Sequence, residues 1–258
     1  MVMITLYVLL AGAIGVVTGL LLKYAGNVVF SHFGASDSKE LAGLAGLRVS
    51  AIFAIAVGLI FSDNHTHYVE AKKNLLEEAK LIGTMSAILA DTPDFPYSRS
   101  IQAKLRQYAK ASAMELQQPE TAERSAVTNS RMLLAICKLT AADAETRATM
   151  IWLRTQLESA CEKLIELRGN KRTSMLTNNV EAPFWIFFCI SFGSLAFLLG
   201  VFERRPLNLI LAALFYFSVG ATAILIYWMS DPYRGPSRIS ATPLTQLIHQ
   251  INIFDESN

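Results

Sequence analysis

Residues 41–62 read LAGLAGLRVSAIFAIAVGLIFS, and this stretch decides the architecture. From Val49 to Phe61 it carries no charge, and a helix needs about 20 apolar residues to cross the hydrocarbon core of a bilayer. Arg48 stands near one end, where its guanidinium can reach the interface along its own methylene stem. Ala51, Ala54, Gly58 and Ser62 recur at helical spacing along one stripe. Two physical readings fit such a stripe. Small residues let helices pack closely in lipid, where no hydrophobic force draws them together; around a symmetry axis the same residues leave room for water and ions. The first apolar run has its own small face at Ala11, Gly15 and Gly19, which can supply the contact within a subunit. That frees the second helix for an axial role, with Ala51, Ala54, Gly58, Ser62 and Asp63 expected to line a pore.

Working outward, Val2–Leu22, Pro183–Phe202 and Leu207–Ser230 also reach spanning length. The expected fold is therefore all-α: a polytopic membrane protein with four transmembrane helices in two pairs and an intervening helical cytoplasmic domain. Composition agrees, since 52% of the 258 residues are hydrophobic, mean hydropathy is +0.35 and 17% are charged, against about a quarter in soluble domains. The first run has no basic n-region and no small-x-small cleavage site, so it reads as a retained helix rather than a signal peptide. The divisions are residues 1–62 for the first pair, with helices over about 2–22 and 41–62, then 63–182 for the helical domain. Residues 183–230 form the second pair, over 183–202 and 207–230, and 231–258 a tail with a short amphipathic helix. Four crossings put both termini and the central domain on one side. Lys72, Lys73, Arg168, Lys171, Arg172, Arg234 and Arg238, weighed against Lys23, Lys39, Arg204 and Arg205, favour the cytoplasm for that side. The expected location is the plasma membrane, with both termini and the central domain on the cytoplasmic side.

Between the pairs, apolar residues recur at helical spacing: Leu75, Ala79, Ile82 and Leu89; Ile101, Leu105, Tyr108 and Ser112; Met150, Leu153, Leu157, Leu164 and Leu167. Breaks fall at Pro93–Pro96 and around Pro119, and Thr140 is expected to cap the long last helix of the domain. No breaker stands between Val49 and Ala90, so the second crossing is predicted to run on as the first helix of the domain and to couple membrane and cytoplasm mechanically. In the tail, Leu244, Leu247, Ile248 and Ile251 form an apolar stripe with Pro243 in the first turn.

The sequence carries no Walker loop, dinucleotide fingerprint, nucleophile elbow or zinc-protease motif. It is therefore read as a non-enzyme, with no catalytic residue, cofactor or metal. Cys137, Cys161 and Cys189 are widely spaced and read as reduced packing residues. Asp63, His65 and His67 form a ligand-like cluster, but residues two apart on a helix do not share a face. Lys72, Lys73, Arg168, Lys171 and Arg172 are the candidate ligand-binding set, for an anionic nucleotide or oligonucleotide, or for anionic lipid headgroups. The competing reading is a solvated face, because Glu77, Glu78, Glu158, Glu162 and Glu166 supply partners at helical spacing.

Several local patterns resemble a family of bacterial membrane proteins described as bestrophin-like. They are the second crossing running into Tyr68, Ala71, Glu78 and Ala79; Tyr108 followed by Glu115; Arg168 and Arg172 ahead of Pro183 and Trp185; and Pro232, Gly235 and Pro243 after the last crossing. The resemblance implies an oligomeric ion channel in the lipid bilayer, a homo-oligomer of four or more subunits, with the second helix of each lining a central pore. The layout also suits a small membrane effector of a nucleotide-controlled antiviral system. The alternative is a non-conducting scaffold or signalling adaptor whose helical domain binds a protein partner.

Overall fold

A computed structural model describes residues 2–32, 35–95, 97–118, 122–141, 150–176, 180, 182–202, 206–233 and 238–256. Eight α-helices are found among them: α1 (Val2–His32), α2 (Ala35–Asp91), α3 (Ser98–Gln117), α4 (Ala122–Ala141), α5 (Ile151–Leu176), α6 (Ala182–Leu198), α7 (Pro206–Met229) and α8 (Thr242–Glu256). A 3-10 turn at Leu199–Val201 follows α6. No strand occurs among the described residues. Four helices are long and apolar enough to cross a membrane, within Thr5–Ser31, Ala42–Asp91, Ala182–Val201 and Pro206–Met229. The chain is an all-α polytopic membrane protein.

Helix α1 runs ten residues past the predicted end at Leu22, to His32, because a lysine ends an apolar run without ending a helix. Pro206 opens α7, and Pro243 sits in the first turn of α8, where the missing N–H costs nothing. Helix α2 is continuous over 57 residues, about 85 Å at 1.5 Å per residue. Helix α4 was not anticipated. Thr140 does not cap the last helix of the domain: it lies in the final turn of α4, where its hydroxyl donates to the Cys137 carbonyl at 2.8 Å. Pro96, Pro119, Arg204, Arg205, Arg234 and Gly235 lie outside the described residues, as does the side chain of Lys39.

The chain forms two compact units, Met1–Tyr68 with Asn178–Ser237, and Val69–Thr177 with Arg238–Asn258. In the first, α1 and α7 touch backbone to backbone. A Cβ on Gly15 would lie 2.6 Å from the Tyr216 carbonyl oxygen, and one on Gly220 2.5 Å from that of Ala11. Only glycine permits this approach, which gains dispersion contacts in a medium that offers no hydrophobic drive. Aromatic rings fill the remaining gaps, with Phe192 edge-on to Tyr216 at 5.8 Å and Tyr7 edge-on to Trp228 at 5.9 Å.

The second unit has a helical core. Ile82, Met85 and Leu89 of α2, Ile101 and Leu105 of α3, Leu133 and Ile136 of α4, Leu157 and Leu164 of α5, and Leu244 of α8 are all buried. Each such side chain contributes about 1.5–3 kcal/mol relative to exposure. Helix α8 is fastened at its entry by Arg238, whose Nη1 donates to the Gln117 carbonyl at 3.1 Å. Leu247 lies against Gly83.

Candidate functional site

The membrane half of α2 follows from its sequence. Its large ring residue, Phe53, is buried and packs on Phe188 of α6 at 5.2 Å. Asn64, on the same side of the helix, is also buried, with its amide donating to the Ile60 carbonyl at 2.9 Å. Ala51, Ala54, Gly58, Ser62 and Asp63 are all exposed. At 3.6 residues per turn, Ala51, Gly58 and Ser62 fall opposite Phe53 and Asn64. A Cβ added to Gly58 would meet nothing within 4 Å. Ile52, Ile55 and Leu59 are exposed too, at 61–67%, so most of this helix surface has no partner within the chain.

Just beyond the stripe, the polar cluster separates as helical geometry requires. His67 reaches Asp63 one turn back at 3.6 Å, while His65 stacks on Phe61 with centroids 6.4 Å apart. The two imidazoles do not converge, and no metal-binding cluster occurs among the described residues.

In the second unit the candidate ligand residues divide. Lys72, Lys73 and Arg172 are exposed. Arg168 and Lys171 are buried, each 4% exposed, and belong to a polar network inside the helical core. Arg168 Nη2 donates to Glu115 Oε2 at 2.6 Å, and Asn129 Nδ2 donates to the same oxygen at 2.8 Å. Lys171 Nζ donates to the Ser112 hydroxyl at 3.1 Å; that hydroxyl in turn donates to Glu78 Oε1 at 3.1 Å, and the Tyr108 hydroxyl donates to the same oxygen at 2.6 Å. Two carboxylates thus face two cations, and the cluster is neutral as a whole. An anion-binding surface at Arg168 and Lys171 does not describe this arrangement, because their charged ends are turned inward and engaged.

Burial and partners pull on these groups in opposite directions. Burial disfavours the Arg168 guanidinium, but Glu115, Tyr108 and Glu78 together outweigh that and hold its pKa above the ordinary value. For Lys171 burial wins and lowers the pKa, since its ion pair with Glu115 is long at 3.9 Å. Burial, reinforced by Glu78, raises the Tyr108 phenol well above its usual range. Glu115 Oε1 and Arg168 Nε and Nη1 have no hydrogen-bond partner among the described residues.

Residues 8–244 match the family described as Bestrophin-like domain. The chain belongs to the bestrophin-like family. The fold of this bestrophin-like chain is similar to a crystal structure of a bacterial bestrophin homologue from Klebsiella pneumoniae, with TM-score 0.72 at 12% identity over 96% of this chain and 98% of that one. A single-substitution variant of a Klebsiella homologue gives TM-score 0.69 at 14% identity over 96% and 98%. No curated protein matches the chain.

Four of the residues that carried the bestrophin-like resemblance in the sequence, Glu78, Tyr108, Glu115 and Arg168, meet in one network. The reading of basic residues as a surface missed this, although a signal was present. Leu157, Leu164, Arg168 and Lys171 lie on one helical face, so the two cations continue an apolar stripe inward. Ser112 stood on the apolar face of its helix; Asn129 had no sequence signal.

Proposed function

We propose that this bestrophin-like chain forms an oligomeric ion channel in which the membrane half of α2 from each subunit lines a central pore. The observation that carries this reading is the exposure of α2. In its most apolar window only 6% is buried, against 11% in α1, 33% in α6 and 22% in α7, and its small-residue stripe turns away from the face that packs on Phe188. Lipid covers apolar helix faces as well as protein does, so it is the small-residue stripe, left without a partner in its own chain, that suits contact with other copies, and four or more copies place the stripe around an axis. Asp63 follows Leu59 by one turn on the flank of α2, so its carboxylates stand beside the end of the pore rather than on the stripe.

Gating is proposed to act through the continuous α2, whose far half is built into the helical unit. An anionic ligand, a nucleotide for a depolarising antiviral effector, would act at the exposed Lys72, Lys73 and Arg172. Moving a pore from mostly closed to mostly open needs about 5.5 kcal/mol of differential affinity, which a few charge-assisted contacts repeated in every subunit can supply. The proposed setting is the inner membrane with the helical unit in the cytoplasm.

The test is ion flux into liposomes containing purified, oligomeric protein, combined with cysteine replacement along residues 50–63. Conduction that is blocked by water-soluble thiol reagents at Ala51→Cys, Ala54→Cys, Gly58→Cys and Ser62→Cys, but not at Ile52→Cys or Leu59→Cys, supports the pore wall. Absence of flux from correctly assembled protein under all ligand conditions sinks it.

A further inference from the structure

Lys23 lies in the last third of the span Thr5–Ser31, yet its side chain is only 5% exposed. No described residue forms a hydrogen bond or ion pair with its ammonium. Holding a cation at this depth without a counter-charge is costly, and an anion bound beside it offsets that cost. Lys23 lines a groove of about 420 Å³ within the membrane unit, inside the roughly 300–1,000 Å³ range of small-molecule sites. The groove is built where α1 and α6 end and α2 and α7 begin. Ser50 and Asn208 add polar lining, and Leu47, Phe202 and Leu211 give apolar walls.

The floor beside Lys23 is fixed. A Cβ on Gly200 would lie 2.6 Å from the Lys23 carbonyl oxygen, and Asn27 Nδ2 donates to the Gly200 carbonyl at 3.0 Å. The lysine backbone is thus held against the 3-10 turn while its side chain borders open space. One cation at the edge of an apolar groove in a membrane matches one kind of molecule, an acid with a hydrocarbon tail.

We propose that this groove binds an acidic amphiphile, its carboxylate or phosphate paired with Lys23 and its acyl chain laid along the apolar walls. A free fatty acid and an anionic phospholipid share this chemistry. The experiment measures thermal stabilisation of the purified oligomer in mild detergent by oleate, by phosphatidylglycerol and by zwitterionic phosphatidylcholine. Lys23→Met, Lys23→Arg and Gly46→Phe are compared with the unmodified protein. Gly46 borders the same groove with nothing within 4 Å of an added Cβ, so its ring fills the site without altering the lysine.

The expected result is stabilisation by oleate or phosphatidylglycerol and not by phosphatidylcholine. Affinity should be about tenfold or more weaker in Lys23→Met, the worth of one charge-assisted hydrogen bond. It should be retained in Lys23→Arg and lost in Gly46→Phe. A response to oleate alone assigns the site to free fatty acids, and a response to phosphatidylglycerol alone to membrane lipid; either supports the proposal. Equal response to all three amphiphiles, or full binding by Gly46→Phe, overturns it, and the second readout holds even where Lys23→Met fails to assemble.

Discussion

The two halves of α2 belong to one uninterrupted helix and live in opposite surroundings. In the half before Tyr68, Phe53 and Asn64 are buried while Ile52, Ile55 and Leu59 stand exposed. In the half after it, Ala71, Leu75, Glu78, Ala79, Ile82, Met85 and Leu89 are all buried, several completely. The second half is stabilised by partners from its own chain, so its substitutions register as stability. The first half has few such partners, so its substitutions register in assembly and conduction. Each prediction below tests that division.

The largest effect is expected from the charged core around the second half. Arg168→Met leaves Glu115 buried without its strongest partner, and the cost is about 3–5 kcal/mol, read as a fall in the denaturation midpoint of the purified protein. Adding Glu115→Gln to the same chain should restore part of that loss, because the uncompensated charge is gone; a double variant as unstable as the single one would show that lost packing dominates. Next comes Ile82→Ala, which empties a completely buried position and should cost about 2–4 kcal/mol. The same truncation at Ile55 in the first half should leave unfolding of the subunit nearly unchanged and weaken the oligomer, measured by mass under mild detergent.

Tyr108→Phe removes one donor to Glu78 and should cost about 1–2 kcal/mol. Its pH dependence has a definite sign. The folded-state pKa of Tyr108 is raised, so its contribution is complete below the unfolded value near 10 and is lost as pH rises through the folded one. Comparing alkaline unfolding of the two proteins checks this: the unmodified protein should lose more stability above pH ~10 than the phenylalanine variant. The smallest effect is Gly58→Ala, where open space surrounds the new methyl. Stability should rise by up to about 1 kcal/mol from helix propensity, while single-channel conductance falls as the proposed pore narrows. A stability loss there would place a packed neighbour against the stripe and break the contrast between the halves.

The spans were legible because a bilayer sets a length and a charge limit that a sequence states openly. Helix ends were less so, as α1 shows: Lys23 stopped the apolar run, while Val28, Val29 and Phe30 carry the helix onward. Helix α4 escaped because the polar run Thr128, Asn129 and Ser130 interrupts its apolar pattern, though Leu133 and Ile136 sit at helical spacing and are buried. Arg168 and Lys171 were read as surface because charge is usually solvated. What buries them is Glu115, 53 residues from Arg168, and pairings at that distance leave no local pattern. Lys23 was weighed only as a flanking charge, since nothing in a linear span shows that three other helix ends close over one residue.

The helical unit is discontinuous: its α8 comes from residues that follow the last membrane span, and Leu244 and Ile251 are buried in that unit. During synthesis, α3 to α5 are therefore finished and waiting while α6 and α7 are still entering the bilayer. At roughly 5–20 residues per second, the apolar seat for α8 beside Gly83 stays uncovered for several seconds in every nascent chain. The last helix then acts as a closing latch over that seat.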